Sequence, residues 1–419
     1  MKPFHLLFLT LTICAIAGSA FGQCSDTVQA LADHLAQYPE SDTDGDGLLC
    51  QDELIVHQAF LFKLQTLEML EGQITLHEDL EYATHGDTSM VLDLWLPIEI
   101  DPDDPPLLVI WLHGGGWRTG SKDENRLAWL APHNFAIASV EFRSVGDIPF
   151  PANVHDIKGA LRWLRANQDN YGYDARRIGI GGTSSGGHLA ALVGSSGEVA
   201  ELEGNVGNHP GQSSRVEAVL DIAGVIDILT WRDPPGVITS ALGIIDRDAP
   251  GVEELVEISN PSTHLTQDDP PYLIYHGIND NVVDVIQAVD FHDTLLYHGL
   301  ESQLQILDVG HLSPLFFNGE RADTIVAFFS RHLRSPLETS VQSTTRPQAP
   351  SLYPSPTHGI LNISSEVEPT SVTIYSHNGE VLAKYQGQNT YDVSQLSPGL
   401  HLVEIRDQNG QHLLRMLKL

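Results

Sequence analysis

Residues 177–192 read RIGIGGTSSGGHLAAL and join a β-branched run to an apolar helical pattern through a glycine-flanked serine. The order of these features predicts a strand, a sharp turn and a helix. Glycine is needed on both sides of the serine because the turn is strained and the helix passes close to the strand. Only Ser184 has glycine two positions before it and two positions after it, at Gly182 and Gly186. We therefore expect Ser184 to stand clear of the sheet edge as a nucleophile.

A second glycine-rich turn, HGGGW at residues 113–117, follows the buried-strand pattern LLVIWL at residues 107–112. Glycines leave the backbone N–H groups of such a turn accessible. A serine that attacks an ester carbonyl creates an oxyanion, which needs preorganised hydrogen-bond donors. We expect these donors to be the amides of Gly115, Gly116 and Ser185.

Two further predicted strands end in groups that can activate a serine. The strand YLIY is followed by HGIND, which ends at Asp280, and the strand LQIL is followed by DVGH, which ends at His311. The carboxyl ends of parallel strands gather at one edge of a sheet, so Ser184, Asp280 and His311 can meet there. His311 would then take the Ser184 proton and return it to the leaving alcohol, while Asp280 holds the imidazole tautomer. Two other acids and two other histidines remain alternatives for these roles: Asp284, Asp308, His276 and His332.

Four motifs occur in the order found in one enzyme family. They are HGGGW, FPANVHDIKGALRWLRANQDNYGYDARRIGIGGTSSGGHLAALVG, DDPPYLIYHGINDNVV and GH. Across residues 75–334 the chain resembles the esterase/lipase branch of the α/β-hydrolases, and within it the bacterial acetyl-esterase and feruloyl-esterase-like carboxylesterases. The resemblance implies a doubly wound, mostly parallel α/β sheet. It also implies the triad Ser184, Asp280 and His311, and catalysis that needs no cofactor.

The sequence departs from this family directly after the predicted acid. The family often has D-x-x-V-P there, whereas residues 280–283 are followed by Asp284, which keeps Asp284 open as an acid. Residues 227–257, rich in proline and glycine, fall where such enzymes carry a cap or substrate loop.

Composition narrows the classes of function and the compartment. The chain has 419 residues, 42% of them hydrophobic, and a formal net charge of −33. This length accommodates one large core and smaller modules, and the charge argues against nucleic acid or an anionic membrane as partner. Residues 1–22 carry an early lysine, an apolar run and a small-residue cleavage site, which predicts a secretory signal peptide rather than a transmembrane segment.

Removal of that peptide leaves two cysteines, Cys24 and Cys50, which we expect to form a disulfide in an oxidising compartment. The cysteines enclose most of the loop DTDGDGLLCQDE at residues 42–53, which has the EF-hand spacing of acids and glycine. Residues 27–37 and 53–69 are predicted as flanking helices, and the alternative is an acidic linker. The loop also resembles extracellular DxDxDGxxC calcium modules, and we expect a structural Ca²⁺ role. The predicted Ca²⁺ ligands are Asp42, Asp44, Asp46, the backbone carbonyl of Leu48, and Glu53.

The C-terminal region begins after a Ser/Thr/Pro-rich linker at residues 336–350. Short alternating strands separated by Asn-Gly turns predict a small β-sandwich. The region resembles the C-terminal sorting domain of the type IX secretion system, which implies that machinery as a partner. The alternative is a carbohydrate-binding sandwich. The predicted strands are Ile360–Ile363, Ser371–Tyr375, Val381–Tyr385 and Leu400–Ile405.

The sequence as a whole predicts a signal peptide (1–22), a helical EF-hand-like calcium-binding module (23–72), an α/β-hydrolase domain (73–335), the linker and a sorting domain (351–419). The expected protein is a secreted or cell-surface serine carboxylic-ester hydrolase. Its expected substrates are acetyl, feruloyl or other short acyl esters, either small molecules or acylated polysaccharides. An amidase, formamidase or peptidase with the same triad is one alternative. A non-catalytic, calcium-dependent surface-binding protein is another, and the complete motif set argues against it.

Overall fold

The computed structural model describes residue 24 and residues 29–197, 199–231, 241–243 and 251–334 of the N-terminal and central regions. In the C-terminal region it describes residues 351–353, 360–364, 368–376, 381–397, 399–408 and 410–418. The predicted signal peptide, the predicted linker and parts of the predicted cap region 227–257 lie outside the described residues.

The central region alternates strands and helices along the chain. Its strands are β1 (Ile74–His85), β2 (Thr88–Pro97), β3 (Leu107–Leu112), β4 (Phe135–Val140), β5 (Asp174–Thr183), β6 (Ala218–Ile222), β7 (Tyr272–Gly277) and β8 (Ser302–Leu307). The helices are α1 (Gln29–Gln37), α2 (Gln51–Met69), α3 (Ala152–Tyr171), α4 (Ser185–Ser195), α5 (Ala200–Glu203), α6 (Val252–Ser259), α7 (Ile286–Tyr297) and α8 (Glu320–Leu333).

The eight strands form one sheet in the order β1-β2-β4-β3-β5-β6-β7-β8. The pairs β1–β2 and β2–β4 are antiparallel, and the pairs from β4 to β8 are parallel. This mostly parallel, helix-flanked sheet confirms the predicted α/β-hydrolase architecture.

Strand β3 shows why the central strands read as continuous apolar runs. All six of its residues are buried. Leu108 and Ile110 join the core beneath α3, α4 and α7, whereas Val109 and Trp111 join the core beneath α8. Side chains alternate between the two faces of a strand, so a sheet covered by helices on both faces needs an apolar residue at every position.

The N-terminal module contains α1 and α2 and the predicted disulfide between Cys24 and Cys50. Helix α2 begins at Gln51, two residues earlier than expected, because the Glu53 side chain accepts a hydrogen bond from the Cys50 amide and caps the helix. At its other end, Leu70 is buried in the core beneath α8. Among the described residues, no helix combines the length and apolar character needed to cross a membrane.

The C-terminal region forms two antiparallel sheets around a small apolar core that includes Val372, Ile374 and Val403. The four predicted strands are present with longer bounds. Sheet β13-β10-β9 contains β9 (Ser351–Tyr353), β10 (Ile360–Ser364) and β13 (Thr390–Asp392). Sheet β12-β11-β14-β15 contains β11 (Ser371–Ser376), β12 (Val381–Gln386), β14 (Gly399–Asp407) and β15 (Gly410–Lys418).

Candidate active site

Ser184 lies in the turn between β5 and α4, in a backbone conformation that non-glycine residues rarely adopt. Its φ is 54° and its ψ is −121°. A Cβ atom added at Gly186 would lie 2.3 Å from the Leu112 carbonyl oxygen, and one added at Gly182 would lie 2.3 Å from the Gly186 carbonyl oxygen. Both glycines are therefore required by close backbone packing, as the sequence predicts.

The structure brings the three predicted triad residues together at the carboxyl edge of the sheet. His311 Nε2 lies 2.9 Å from Ser184 Oγ, and His311 Nδ1 lies 2.6 Å from Asp280 Oδ2. Because a carboxylate only accepts, the proton between His311 and Asp280 is on Nδ1. Nε2 is then left to accept the hydrogen bond of the serine hydroxyl.

The Asp280 side chain is buried and is kept ionised by its neighbours. Its Oδ1 accepts hydrogen bonds from the amides of Val282 and Val283, both at 2.9 Å. Burial alone would raise the pKa of Asp280, but hydrogen bonds and charge from His276 and His311 hold that pKa well below its usual range. Asp280 therefore remains a carboxylate at neutral pH.

The structure gives the alternative acids and bases other contacts. Asp284 Oδ1 accepts from the Ile286 amide at the start of α7, and Asp308 Oδ1 accepts from the Asn279 side chain at 2.6 Å. His332 lies on α8 with Nε2 3.7 Å from Glu301. His276 donates to the Val283 carbonyl at 2.9 Å and lies behind the acid, 3.4 Å from Asp280 Oδ2.

The HGGGW segment packs directly against the nucleophile. A Cβ atom added at Gly114 would lie 3.6 Å from Ser184 Cβ. Gly115 and Gly116 have positive φ values of 119° and 62°. Within the described part of the chain, neither amide donates a hydrogen bond to another protein group. Ser185 begins helix α4, where the first amides have no partner inside the helix. The amides of Gly115 and Gly116 thus have no acceptor among the described residues, and the Ser185 amide has none inside α4.

His113 shapes this loop and does not reach the triad. Its Nδ1 lies 2.7 Å from the Gly114 carbonyl oxygen, its Nε2 lies 3.5 Å from Glu141 Oε1, and its ring stacks on Phe142. Burial would lower the pKa of His113, but the neighbouring Glu141 carboxylate raises it above its ordinary value.

The sequence does not predict a buried, hydrogen-bonded series of side chains that begins at Trp117, the last residue of HGGGW. The Trp117 indole donates to His188 Nδ1 at 3.0 Å, and His188 Nε2 donates to the Ser259 carbonyl at 2.8 Å. Burial lowers the pKa of His188 to about 4, which keeps its imidazole neutral. The Trp231 ring packs edge-on against Trp117, which connects the segment after β6 to this hydrogen-bonded series.

Asp221 is a second buried carboxyl at the end of β6. Its Oδ1 accepts from the Gly224 amide at 3.0 Å, and its Oδ2 has no hydrogen-bond partner among the described residues. Burial raises the pKa of Asp221 to about 6, although the charge of His276 acts in the opposite direction. No motif surrounds Asp221, so only its apolar strand could have indicated that it is buried.

The predicted calcium loop brings three of its carboxylates together. Oxygens of Asp42, Asp44 and Asp46 lie within 4.8 Å of one another. Hard carboxylate oxygens are the donors that Ca²⁺ prefers, so this part of the loop fits the ion. Glu53, the predicted twelfth-position ligand, instead accepts from the Thr43 amide at 2.7 Å and closes the loop. The structure does not place Glu53 in the carboxylate group.

Comparisons with known proteins relate two regions of the chain to known families. Residues 92–295 match the BD-FAE family, and residues 351–418 match the secretion system C-terminal sorting domain. Esterase LipC of Mycobacterium tuberculosis is 29% identical over 263 residues, which cover 59% of this chain and 64% of LipC. The probable carboxylic ester hydrolase LipM of the same organism is 28% identical and is covered over 51% of its length. The chain thus spans between half and two thirds of the length of these curated relatives.

Solved structures of two proteins resemble the central region in fold. A truncated carbohydrate esterase from gut microbiota has 28% identity and a TM-score of 0.57, with 62% of this chain and 96% of that chain covered. A bifunctional GH43-CE protein of Bacteroides eggerthii has 31% identity and a TM-score of 0.56, with 62% of this chain and 35% of that chain covered. Residues 92–295 therefore belong to an α/β-hydrolase domain that matches the BD-FAE family, and residues 351–418 match a type IX sorting domain, which indicates export to the cell surface or the medium.

Proposed function

We propose that this protein hydrolyses carboxylic esters through an acyl-enzyme on Ser184. The observation that carries the proposal is the hydrogen-bonded series from Ser184 through His311 to Asp280. The esterase names of the relatives support the same reaction class.

Acylation begins when Ser184 Oγ attacks the ester carbonyl carbon and its proton passes to His311 Nε2. The amides of Gly115, Gly116 and Ser185 stabilise the negative charge that develops on the carbonyl oxygen. The C–O bond to the alcohol then breaks, and the alcohol oxygen takes the proton from His311. Asp280 stays ionised and stabilises the imidazolium while it exists.

Deacylation repeats these steps with water as the nucleophile. His311 Nε2 takes a proton from the water as it attacks the acyl carbon, and the same amides bind the second oxyanion. Collapse of this intermediate breaks the bond to Ser184 Oγ, which recovers its proton from His311. The products are the free acid and the original enzyme, and no redox or metal chemistry is needed for the balance.

Esters of carbohydrates are the substrate class that we propose. A structurally similar protein is named as a carbohydrate esterase, and the sorting domain directs this chain outside the cell, where acylated polysaccharides are found. Acetyl and feruloyl groups are the proposed acyl groups, carried on small esters or on acylated polysaccharides.

A fluorophosphonate serine probe tests the proposal first. The purified protein is labelled, digested and mapped by mass spectrometry, and aryl acetate hydrolysis is measured in parallel. We expect the label on Ser184, and we expect Ser184→Ala to abolish both labelling and turnover above the residual rate of the oxyanion hole. Amides cleaved faster than esters would indicate an amidase instead. Folded protein without label or turnover would contradict the proposal.

We also propose that the loop at residues 42–53 binds Ca²⁺ in a structural role. Its three clustered aspartates and its closure by Glu53 support this role. Sites of this kind in extracellular modules have dissociation constants of about 0.1 to 1 mM. Calcium at roughly ten times such a constant would stabilise the fold by about 1.4 kcal/mol. Thermal unfolding with calcium and with a chelator measures this effect, and Asp44→Ala should abolish it. Unchanged melting temperatures would contradict the proposal.

A further inference from the structure

Helix α2 lies against the segment that forms the oxyanion hole. We define the oxyanion loop as residues 113–120. At the start of α2, the Asp52 carbonyl oxygen accepts a hydrogen bond from Thr119 Oγ1 at 3.3 Å. Further along α2, the Phe62 ring lies under the Arg126 guanidinium, 5.6 Å from ring centre to carbon. Helix α2 therefore contacts the chain within this loop and again six residues after it.

Lys63 provides a third and stronger contact between α2 and the catalytic domain. Its ammonium lies 2.8 Å from Asp93 Oδ2 on β2, 3.0 Å from Asp123 Oδ1 and 2.6 Å from Glu78 Oε1 on β1. The Lys63 side chain is 8% exposed and the Asp93 side chain is fully buried. Burial alone would lower the pKa of Lys63, but the hydrogen bonds that its ammonium donates to these carboxylates hold that pKa above the usual range. Charges this deeply buried hold their partners in fixed positions, since separating them would leave a charge unpaired.

The buried charges continue from Lys63 to the loop itself. Lys122 Nζ lies 2.8 Å from the other oxygen of Asp93, and the Lys122 amide donates to Glu141 Oε2 at 3.0 Å. Glu141 Oε1 in turn lies 3.5 Å from His113 Nε2. His113 is the first residue of the oxyanion loop. A continuous series of contacts therefore links α2 to the base of the loop, while Thr119 links α2 to its tip.

The tip of the loop also contacts Gly115, one of the predicted oxyanion donors. The Thr119 amide donates to the Gly115 carbonyl oxygen at 3.2 Å. A Cβ atom added at Gly115 would lie 2.0 Å from the Thr119 carbonyl oxygen, so these two backbones are in direct contact. We therefore expect a displacement of Thr119 to displace Gly115 as well.

We propose that helix α2 of the N-terminal module positions the oxyanion loop, with Lys63 and Thr119 as its positioning residues. This inference rests on the proposed esterase function. It gives the N-terminal module a role in catalysis through contacts from the first turn and the body of α2. Neither residue touches the reacting atoms.

Steady-state kinetics on the full chain tests this role with aryl acetate as the substrate. The variants are Lys63→Met, which removes the buried ammonium, and Thr119→Val, which removes the hydroxyl donor at nearly constant shape. Lys63→Arg and Thr119→Ser keep a donor and serve as rescue variants. Leu64→Ala is the matched control, since Leu64 neighbours Lys63 on α2 but is 46% exposed.

We expect Lys63→Met to lower kcat by about 10-fold or more with little change in KM. Removal of one oxyanion donor lowers kcat by about 100- to 1,000-fold, and a displaced loop should lose part of that stabilisation. Thr119→Val should lower kcat by about 3-fold or more for the same reason. The rescue variants should regain much of the lost rate, and Leu64→Ala should match the wild type. Circular dichroism at the assay temperature verifies that each variant is folded.

The experiment distinguishes failure of the proposed esterase function from failure of the positioning role. A wild-type protein with neither probe labelling nor ester turnover contradicts the proposed function. An active wild type, with folded Lys63→Met and Thr119→Val variants that retain its kcat, overturns the positioning role. If Lys63→Met does not fold, Thr119→Val alone decides, and an unchanged kcat in that variant overturns the inference.

Discussion

At the scale of single residues, Asp280 is the group on which the orientation of His311 depends. Its Oδ1 is held by two backbone amides, so its Oδ2 is fixed for the imidazole. Asp280→Asn presents an amide in place of the carboxylate and disfavours the tautomer that His311 needs. We expect kcat for an aryl acetate to fall by about 10⁴-fold, as for the corresponding change in other serine hydrolase triads.

The matched control for this substitution is Asp308→Asn. Asp308 was an alternative acid in the sequence, and in the structure it accepts a hydrogen bond from Asn279. We expect this variant to keep kcat within about threefold of the wild type, since an exposed polar contact contributes little. A larger loss from Asp308→Asn than from Asp280→Asn would transfer the role of acid to Asp308.

Asp221 makes the stability of the protein depend on pH. Its pKa is raised by burial from 3.8 to about 6, so the folded state binds this proton more tightly than the unfolded state. Protonation therefore stabilises the fold. The stabilisation is fully present below about pH 4 and is lost as the pH rises to about 6. Above that pH, the ionised buried carboxylate lowers the free energy of unfolding by about 3 kcal/mol relative to low pH.

Asp221→Asn removes this ionisation while keeping an oxygen for the Gly224 amide. We expect the variant to melt at a higher temperature than the wild type at about pH 7.5 and at nearly the same temperature at about pH 4. Melting curves of both proteins across this pH range measure the difference. A difference that stays constant with pH would mean that Asp221 does not titrate in the folded protein.

The sequence was sufficient to predict which residues meet at the site, because Ser184, Asp280 and His311 each follow a strand in a motif. It was not sufficient for Asp221 or His188, whose properties come from burial. Burial depends on which helices cover the strand ends, and no local spacing encodes that. Glu53 was predicted as a metal ligand from its loop position, yet the nearby backbone amides hold its carboxylate in the structure.

At the scale of elements, the approach of α4 to β3 determines whether the nucleophile turn can form. A side chain at Gly186 would meet the carbonyl oxygens of Leu112 and His113 at 2.3 and 2.4 Å. These are backbone atoms at the end of central strand β3 and in the residue that follows it, and they cannot move without disturbing the sheet edge. We expect Gly186→Ala to destabilise the protein by about 2 to 4 kcal/mol and to lower soluble yield.

Gly211→Ala is the control for this prediction. Gly211 has no atom within 4 Å of an added Cβ and does not need a positive φ, so the same change should be neutral or slightly stabilising there. Chemical denaturation of both variants gives the two free energies of unfolding. Equal stabilities would show that α4 can move away from β3 at low cost.

Elements were predictable where a pattern is local and long. Strands β3 and β5 and the helix after Ser184 have clear apolar runs, whereas β9 and β13 have three residues each and too little pattern to detect. The position of α2 was beyond prediction for a different reason. Its strongest contact joins Lys63 to Asp93, 30 residues later, and a single lysine in a helix gives no sign of its partner.

At the scale of the whole molecule, the net charge of −33 is the dominant electrostatic property. Carboxylates that are dispersed over a surface repel one another, and this repulsion is stronger in the compact folded state than in the expanded unfolded state. Raising NaCl from about 20 mM to about 500 mM shortens the Debye length from roughly 20 Å to roughly 4 Å. Salt should therefore stabilise the fold.

We expect the melting temperature to rise by about 3 to 6 °C over this range of NaCl, which corresponds to roughly 1 to 2 kcal/mol for a domain of this size. The buried Lys63–Asp93 pair is shielded from the solvent, so its attraction is not lost to screening and does not cancel the gain. Melting curves are recorded with calcium held constant, so that binding to the acidic loop does not vary. KCl serves as the control, because screening depends on ionic strength and should give the same rise. A melting temperature that stays flat or falls would mean that salt weakens attractive ion pairs more than it relieves the repulsion among the carboxylates.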